Sequence, residues 1–125
     1  MSERPVVLYD GNCRFCRWSA RMLVRLDRHE RLGFLPLDDP QAGALLAPLS
    51  SAERIESWRL VAVDGQLLGG AAAGSSVLTV LGARRLADAT RRWNDVGERI
   101  YRATATHRGW LGHLVPDGAG PHRYP

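Results

Sequence analysis

The pattern of hydrophobic positions begins with two short apolar runs separated by a helical period. Val6–Tyr9 is an uninterrupted run that ends at an Asp-Gly-Asn turn sequence, and residues 34–37 form a second run. Short apolar runs bounded by turn residues are typical of buried strands. Residues 13–29 between them show helical spacing, so we predict a helix there. Its predicted buried face consists of Phe15, Met22, Leu23 and Leu26.

A short helix and a hairpin are predicted in the middle of the chain. Residues 41–47 follow an Asp-Asp-Pro helix start, and one more helical turn is expected around residues 50–54. The dipeptide Asp64-Gly65 favours a two-residue hairpin turn. It therefore joins a predicted strand at residues 58–63 to a return strand at residues 66–68.

Three further helices are predicted before the chain loses its periodicity. The first covers residues 71–81 and ends at Gly82, and the second covers residues 84–93. Asn94 or Asp95 is expected to cap the third. This last helix is expected to carry Val96, Ile100, Ala103 and His107.

The length and the element order predict one α/β domain with a short tail. A chain of 125 residues suits one domain of about 100–200 residues. We place the domain at residues 1–115 and expect residues 116–125, rich in Gly and Pro, to be a loose tail. The first two strands are joined by a helix and should be parallel, whereas the hairpin is antiparallel. We therefore expect a small mixed sheet flanked by helices.

The composition excludes several classes of function. All seventeen basic residues are arginines, so the chain cannot use a Schiff-base lysine or a P-loop lysine. This excludes pyridoxal-phosphate enzymes, lysine aldolases and Walker-type nucleotide hydrolases. No apolar stretch approaches about 18 residues, so we predict no membrane span. Without a signal-peptide core, we expect a cytoplasmic location, where thiols are kept reduced.

The two cysteines, Cys13 and Cys16, carry the clearest chemistry. They lie three residues apart at the predicted start of the first helix, close enough to form a disulfide. The helix start and the neighbouring Arg14 favour the thiolate of Cys13, while Cys16 should be more buried. We therefore predict that Cys13 is the nucleophile and Cys16 resolves the mixed disulfide. Such a pair at a strand-to-helix junction also indicates a thioredoxin-like fold.

Other interpretations of the cysteine pair remain open. The thiols could be structural, or they could supply half of a zinc or iron–sulfur site. A closed zinc site needs four ligands, and the four histidines of the chain form no tight pair. We therefore expect neither a metal nor a bound cofactor.

A second class of function is a non-catalytic binding module. Arginines recur at helical spacing along the first helix and could dock an acidic protein or RNA, although such a face is also typical of a solvated surface. Intrahelical partners for them are Asp27 and Glu30. The arginines are Arg14, Arg17, Arg21, Arg25 and Arg28.

Four residues near the cysteines complete the candidate site. Asp10 either accepts a proton from a cysteine, as a catalytic residue, or binds the backbone N–H groups of the turn. Phe15 either forms a docking surface for substrate or packs in the core. Arg14 and Trp18 are the other candidates for contact with substrate.

The segment from Val6 to Cys16 resembles the opening signature of the DCC family of thiol–disulfide oxidoreductases. The family is named for its Asp-x-x-Cys-x-x-Cys pattern, here Asp10, Cys13 and Cys16. The similarity continues at residues 32–37, 70–82 and 100–108. It implies a thioredoxin-like fold and disulfide oxidoreductase activity, and it singles out Arg108, whose other explanation is a surface salt bridge.

The resemblance to thioredoxin itself is limited. Residues 55–58 contain no proline, whereas thioredoxins place one just before the third strand, where it helps to bind the substrate backbone. The partners we expect are a disulfide-bearing protein or a low-molecular-weight thiol, together with a separate thiol reductant system. Nucleic acid is not an expected partner of an oxidoreductase of this kind.

Overall fold

Four short strands form the centre of the fold. In the computed structural model, which describes residues 4–47 and 58–124, they are β1 (Val6–Tyr9), β2 (Gly33–Pro36), β3 (Arg59–Val61) and β4 (Leu67–Gly69). Their order in the sheet is β2-β1-β3-β4. β1 is parallel to β2 and antiparallel to β3, and β4 is antiparallel to β3. The predicted mixed sheet is confirmed.

The hairpin between β3 and β4 has a longer loop than its sequence predicts. The Gly65 N–H donates to the Ala62 carbonyl at 2.8 Å, and the Ala62 N–H donates to the Gln66 carbonyl at 2.9 Å. The loop therefore holds three residues, and the prediction of a two-residue turn is wrong. Gly65 closes it with φ +88°, a left-handed conformation that suits glycine in three-residue loops.

The helices surround this sheet in the predicted order. They are α1 (Arg14–Leu26), α2 (Pro40–Leu45), α3 (Gly70–Val80), α4 (Arg84–Arg92), α5 (Asn94–Thr106) and α6 (Arg108–Leu111), followed by a 3-10 turn at Gly112–Leu114. The sequence predicted neither α6 nor the 3-10 turn. Asn94 is the first residue of α5 and does not cap it, since Trp93 occupies the cap position. The turn predicted at residues 50–54 lies outside the described residues.

The two faces of the sheet are covered by different helices. Successive strand residues point to opposite faces. Val7 and Tyr9 pack with α1 and α3 on one side, and Val6 and Leu8 pack with α2 on the other. The result is a three-layer α/β fold of thioredoxin-like type, as predicted. None of the helices in the described ranges is long and apolar enough to cross a membrane.

Large apolar residues are exposed on two of the helices. Leu26, at the end of α1, is 64 % exposed, and the core side of this helix is formed by Ala20, Leu23 and Val24 instead. On α5, Val96 and Ile100 are also exposed. Periodicity identifies an apolar face but does not show whether another element covers it, so Leu26 lies outside the core although it falls on the predicted face of α1.

The end of the chain is attached to the domain. Arg123 and Phe34 exchange two backbone hydrogen bonds of 2.9 and 2.7 Å, which extends the pairing beside β2. The Tyr9 hydroxyl donates to the Pro121 carbonyl at 2.6 Å. Gly120 lies so close to the Tyr9 ring that a Cβ would collide with it. Residues 116–124 are therefore not a loose tail, because hydrogen bonds hold this segment, which has few apolar side chains. The domain boundary at residue 115 stays a prediction.

A buried ion pair between Asp27 and Arg123 fixes the end of this segment. The Asp27 carboxylate is buried and accepts hydrogen bonds of 2.9 Å from the backbone N–H groups of Arg31 and Leu32. The Arg123 guanidinium contacts the same carboxylate and lies 5.3 Å from the Phe34 ring centroid. The expectation that Asp27 pairs with arginines of its own helix is therefore wrong. Its carboxylate instead joins α1 to the end of the chain.

Candidate active site

The cysteine pair lies where β1 leads into α1. Cys13 is the N-cap residue of α1, with extended backbone angles of φ −105° and ψ 117°. Its Sγ accepts a hydrogen bond from the Cys16 backbone N–H at 3.3 Å. Both thiols are free and partly buried. The first turn of the helix therefore uses the Cys13 sulfur as its capping acceptor, a position that favours negative charge on the sulfur.

The second thiol lies in a different environment. Burial raises the pKa of Cys16 to about 12, and a hydrogen bond with Cys13 and the charge of Cys13 act in the same direction. The positive charge of Arg108 opposes this effect. Cys16 is therefore protonated at neutral pH, which matches the role of a second thiol that reacts only after the first.

We expect alkylation to distinguish the two thiols. Iodoacetamide reacts with thiolates, so at neutral pH it should label Cys13 well before Cys16, whose labelling should accelerate only as the pH rises toward 12. Peptide mapping by mass spectrometry after timed quenching measures both rates in one sample. Equal rates at neutral pH, or faster labelling of Cys16, would contradict the assignment.

Asp10 holds the turn that leads to the cysteines. Its Oδ1 accepts the Asn12 backbone N–H at 2.9 Å, and its backbone carbonyl accepts the Cys13 N–H at 3.2 Å. Its Oδ2 lies 3.5 Å from Nη1 of Arg108. The turn contact expected for Asp10 is therefore present, and the proton-transfer role stays a prediction.

Arg108 reaches the site from the start of α6, far along the chain from Asp10. The two side chains form an ion pair and are both partly exposed. Nothing in the local sequence around Arg108 indicates this contact, and only the family resemblance singled the residue out. Its guanidinium is also close enough to Cys16 to affect the pKa of that thiol.

A cavity of about 480 Å³ lies beside the second cysteine. Its wall comes from β1, α1, α3 and α5 and is mostly aromatic and aliphatic, with Cys16, Asp10 and Arg108 also taking part. This volume is in the range of small-molecule sites. Cys13 and Arg14 do not belong to the wall. The apolar part includes Phe15, Trp18, Met22, Trp58, Leu78 and Tyr101.

Phe15 and Trp18 form one side of this cavity. Their rings are stacked with centroids 5.9 Å apart and planes inclined by 30°. Phe15 is half-buried and lines the cavity, and its contact with substrate stays a prediction. Sequence reasoning identified both aromatics as site residues but did not assign Trp58 and Tyr101 to the site, because they come from distant elements.

The arginines along α1 do not form one continuous free face. Arg17 donates to Asp117 at 2.8 Å, to the Gly118 carbonyl at 3.0 Å and to the Gly11 carbonyl at 2.9 Å. Arg21 donates to the Pro116 carbonyl at 2.8 Å. The ion pair with Arg17 lowers the pKa of Asp117.

Two of the five arginines thus attach the end of the chain to the helix. The other three, Arg14, Arg25 and Arg28, are exposed. Arg17 and Arg21 are therefore already engaged within the chain, which interrupts the arginine face that was considered for docking an acidic partner. Within residues 4–47 and 58–124, no three His, Cys, Asp or Glu side chains form a group that could hold a metal ion.

The fold and the site together define a class of protein. A strand, a tight turn and a helix capped by the first cysteine of a Cys-x-x-Cys pair are the features of a thioredoxin-like dithiol protein. The family model of DCC1-like thiol–disulfide oxidoreductases matches residues 7–113. The chain therefore belongs to the DCC1-like thiol–disulfide oxidoreductase family. No curated protein and no solved structure matches it.

Proposed function

We propose that this protein is a thiol–disulfide oxidoreductase in which Cys13 attacks the substrate and Cys16 resolves the intermediate. The observation that carries the proposal is the hydrogen bond from the Cys16 N–H to the Cys13 Sγ at the start of α1. This contact places the Cys13 sulfur at the N-terminal end of α1, while burial keeps Cys16 as a thiol. Membership of the family supports a redox role for the pair.

The proposed reaction transfers two electrons from the dithiol to the substrate disulfide. The Cys13 thiolate bonds to one substrate sulfur, and the other sulfur leaves as a thiolate that takes up a proton. Cys16 then loses its proton and bonds to the Cys13 Sγ, which releases the second substrate sulfur. The products are two substrate thiols and a Cys13–Cys16 disulfide, and a separate thiol system regenerates the dithiol.

The second step requires a base, because the pKa of Cys16 is raised. Asp10 is our candidate, since its carboxylate lies close enough to influence that pKa and shares the cavity wall with Cys16. Arg108 acts as a positioning residue in this scheme, because its ion pair holds Oδ2 of Asp10.

The cavity supports a substrate with an apolar group next to its disulfide. Phe15 and Trp18 would contact that group, and the exposed Arg14 lies outside the cavity, where it can contact the rest of the substrate. A low-molecular-weight disulfide or an apolar side chain of a disulfide-bearing protein meets this requirement. A cytoplasmic location, where thiols are kept reduced, belongs to the same proposal.

A redox titration in glutathione buffers tests the proposal. Samples are quenched by alkylation and scored by intact mass. We expect Cys13 and Cys16 to convert together and reversibly, with a midpoint between about −120 and about −270 mV, the range of dithiol oxidoreductases. If no intramolecular disulfide forms under any buffer, the cysteines are not a redox couple and the proposal fails.

A further inference from the structure

The positive charge of this chain is concentrated in one segment. Residues 84–115 contain seven arginines and three acidic residues, whereas the rest of the chain contains ten of each. The formal charge of +4 therefore comes entirely from this segment. It comprises α4, α5, α6 and the 3-10 turn.

The same segment exposes large apolar side chains. Among the described residues, eight large hydrophobic side chains are exposed, and six of them lie here. Trp93 is 63 % exposed and Ile100 is 62 % exposed. Trp93, Val96 and Ile100 follow the helical spacing of three and four residues, so they share one face of α5. The six are Leu86, Trp93, Val96, Ile100, Trp110 and Leu114.

This apolar face is the outer face of α5. The side of the helix that carries Tyr101 and Thr104 is occupied, because both residues line the cavity beside Cys16. Arg99 and Arg102 are exposed, and Arg99 lies three residues after Val96, so it neighbours the apolar face. The helix thus packs on the domain with one face and presents tryptophan, aliphatic side chains and arginine with the other.

We propose that the outer surface of α4–α6 docks the protein on an anionic lipid bilayer. We call it the basic apolar surface and define it by the six apolar residues above and by Arg84, Arg85, Arg92, Arg99 and Arg102, which are exposed. Tryptophan and aliphatic side chains enter the interfacial region, while arginine contacts phosphate groups and keeps its charge in water. Anionic lipids complement the charge of this segment.

Two other occupants fit this surface less well. A second copy of the chain would bring two sets of arginines together, and like charges facing each other oppose association. A nucleic acid would complement the charge but would leave Ile100 and Val96 without apolar contacts, because nucleic-acid binding of this kind relies on phosphate contacts. A bilayer satisfies both properties of the surface at once.

Vesicle co-sedimentation with the full-length protein tests this inference. Vesicles of phosphatidylcholine alone are compared with vesicles that also contain phosphatidylglycerol, at low and at high salt. We expect binding to the anionic vesicles, weaker binding at high salt, and at most slight binding to the neutral ones. Tryptophan fluorescence should shift to shorter wavelength on binding, and Trp93→Phe combined with Trp110→Phe should abolish the shift, because both tryptophans lie in the surface.

A matched pair of variants separates the surface from general charge effects. Ile100→Glu and Leu26→Glu introduce the same charge at sites of similar exposure, 62 % and 64 %, but only the first lies in the basic apolar surface. We expect Ile100→Glu to weaken binding to anionic vesicles at least tenfold and Leu26→Glu to change it less than threefold. Arg99→Gln combined with Arg102→Gln should reduce the preference for anionic lipid.

Several results would overturn the inference. The first is no binding to anionic vesicles at low salt, and the second is equal loss of binding in both Glu variants. A third is a dimer in light scattering that Ile100→Glu dissociates, without vesicle binding, since this would make the surface a self-interface. Binding to polyglutamate with no binding to vesicles would indicate an acidic protein partner instead. The redox titration is independent of all of these outcomes.

Discussion

Replacing Cys13 with Ser should lower the rate of disulfide reduction by at least about a thousandfold, as expected when a catalytic nucleophile is removed. The serine hydroxyl can still accept the Cys16 N–H, so α1 should keep its cap. It cannot form a thiolate or a mixed disulfide, however. The rate is measured with a low-molecular-weight disulfide and excess glutathione, and circular dichroism shows whether the fold is retained.

Cys16→Ser should give the complementary result. Attack by Cys13 still occurs, but the intermediate cannot be resolved internally, so the protein should accumulate as a mixed disulfide. Intact mass after exposure to oxidised glutathione should show one added glutathione, and peptide mapping should place it on Cys13. An adduct that instead forms readily on Cys16 in the Cys13→Ser variant would reverse the assigned roles.

The sequence predicted the elements that depend on local pattern. β1, β2 and α1 follow from apolar runs and helical spacing, and the position of Cys13 at the start of α1 follows from the turn sequence before it. The parallel pairing of β1 and β2 follows from the helix between them. These features are set by residues close in sequence, which is why pattern and turn chemistry were sufficient.

The features that the sequence did not predict depend on contacts between distant residues. The ion pair between Arg108 and Asp10 arises only when α6 packs beside α1. The cavity wall formed by Trp58 and Tyr101 arises only when the start of β3 and α5, which packs on α3, come together. The exposure of Ile100 is of the same kind, because periodicity cannot say which apolar face is left uncovered. Family similarity at residues 70–82 and 100–108 did not show that these segments meet beside Cys16.

Arg123→Ala should produce a large loss of stability, although Arg123 lies far from the cysteines along the chain. Removing the guanidinium leaves the buried Asp27 carboxylate without its cation and removes the contact with the Phe34 ring. Breaking a buried ion pair costs about 3–5 kcal/mol. Because Arg123 keeps part of its surface in water, we expect the free energy of unfolding to fall by about 3 kcal/mol, the lower end of that range. Urea titration measures it.

Arg21→Ala is the matched control for this prediction. Arg21 also contacts the end of the chain, through the Pro116 carbonyl, but its hydrogen bond is exposed and no buried charge depends on it. Its loss should cost no more than about 1 kcal/mol. If Arg123→Ala costs no more than Arg21→Ala, the end of the chain is not held by the Asp27 pair.

A double variant identifies the cause of the loss. Asp27→Asn removes the buried negative charge, but its amide nitrogen replaces one of the two oxygens that accept the Arg31 and Leu32 N–H groups. In the Arg123→Ala background it should therefore cost less than it does alone, because alone it also leaves the Arg123 guanidinium without its anion. If the effects of the two substitutions on the free energy of unfolding instead add, each side chain acts independently.

The segment that Arg123 fixes also carries Asp117, which pairs with Arg17. Arg17 in turn donates to the Gly11 carbonyl of the active-site turn. The ion pair between Asp27 and Arg123 therefore supports the site from a distance.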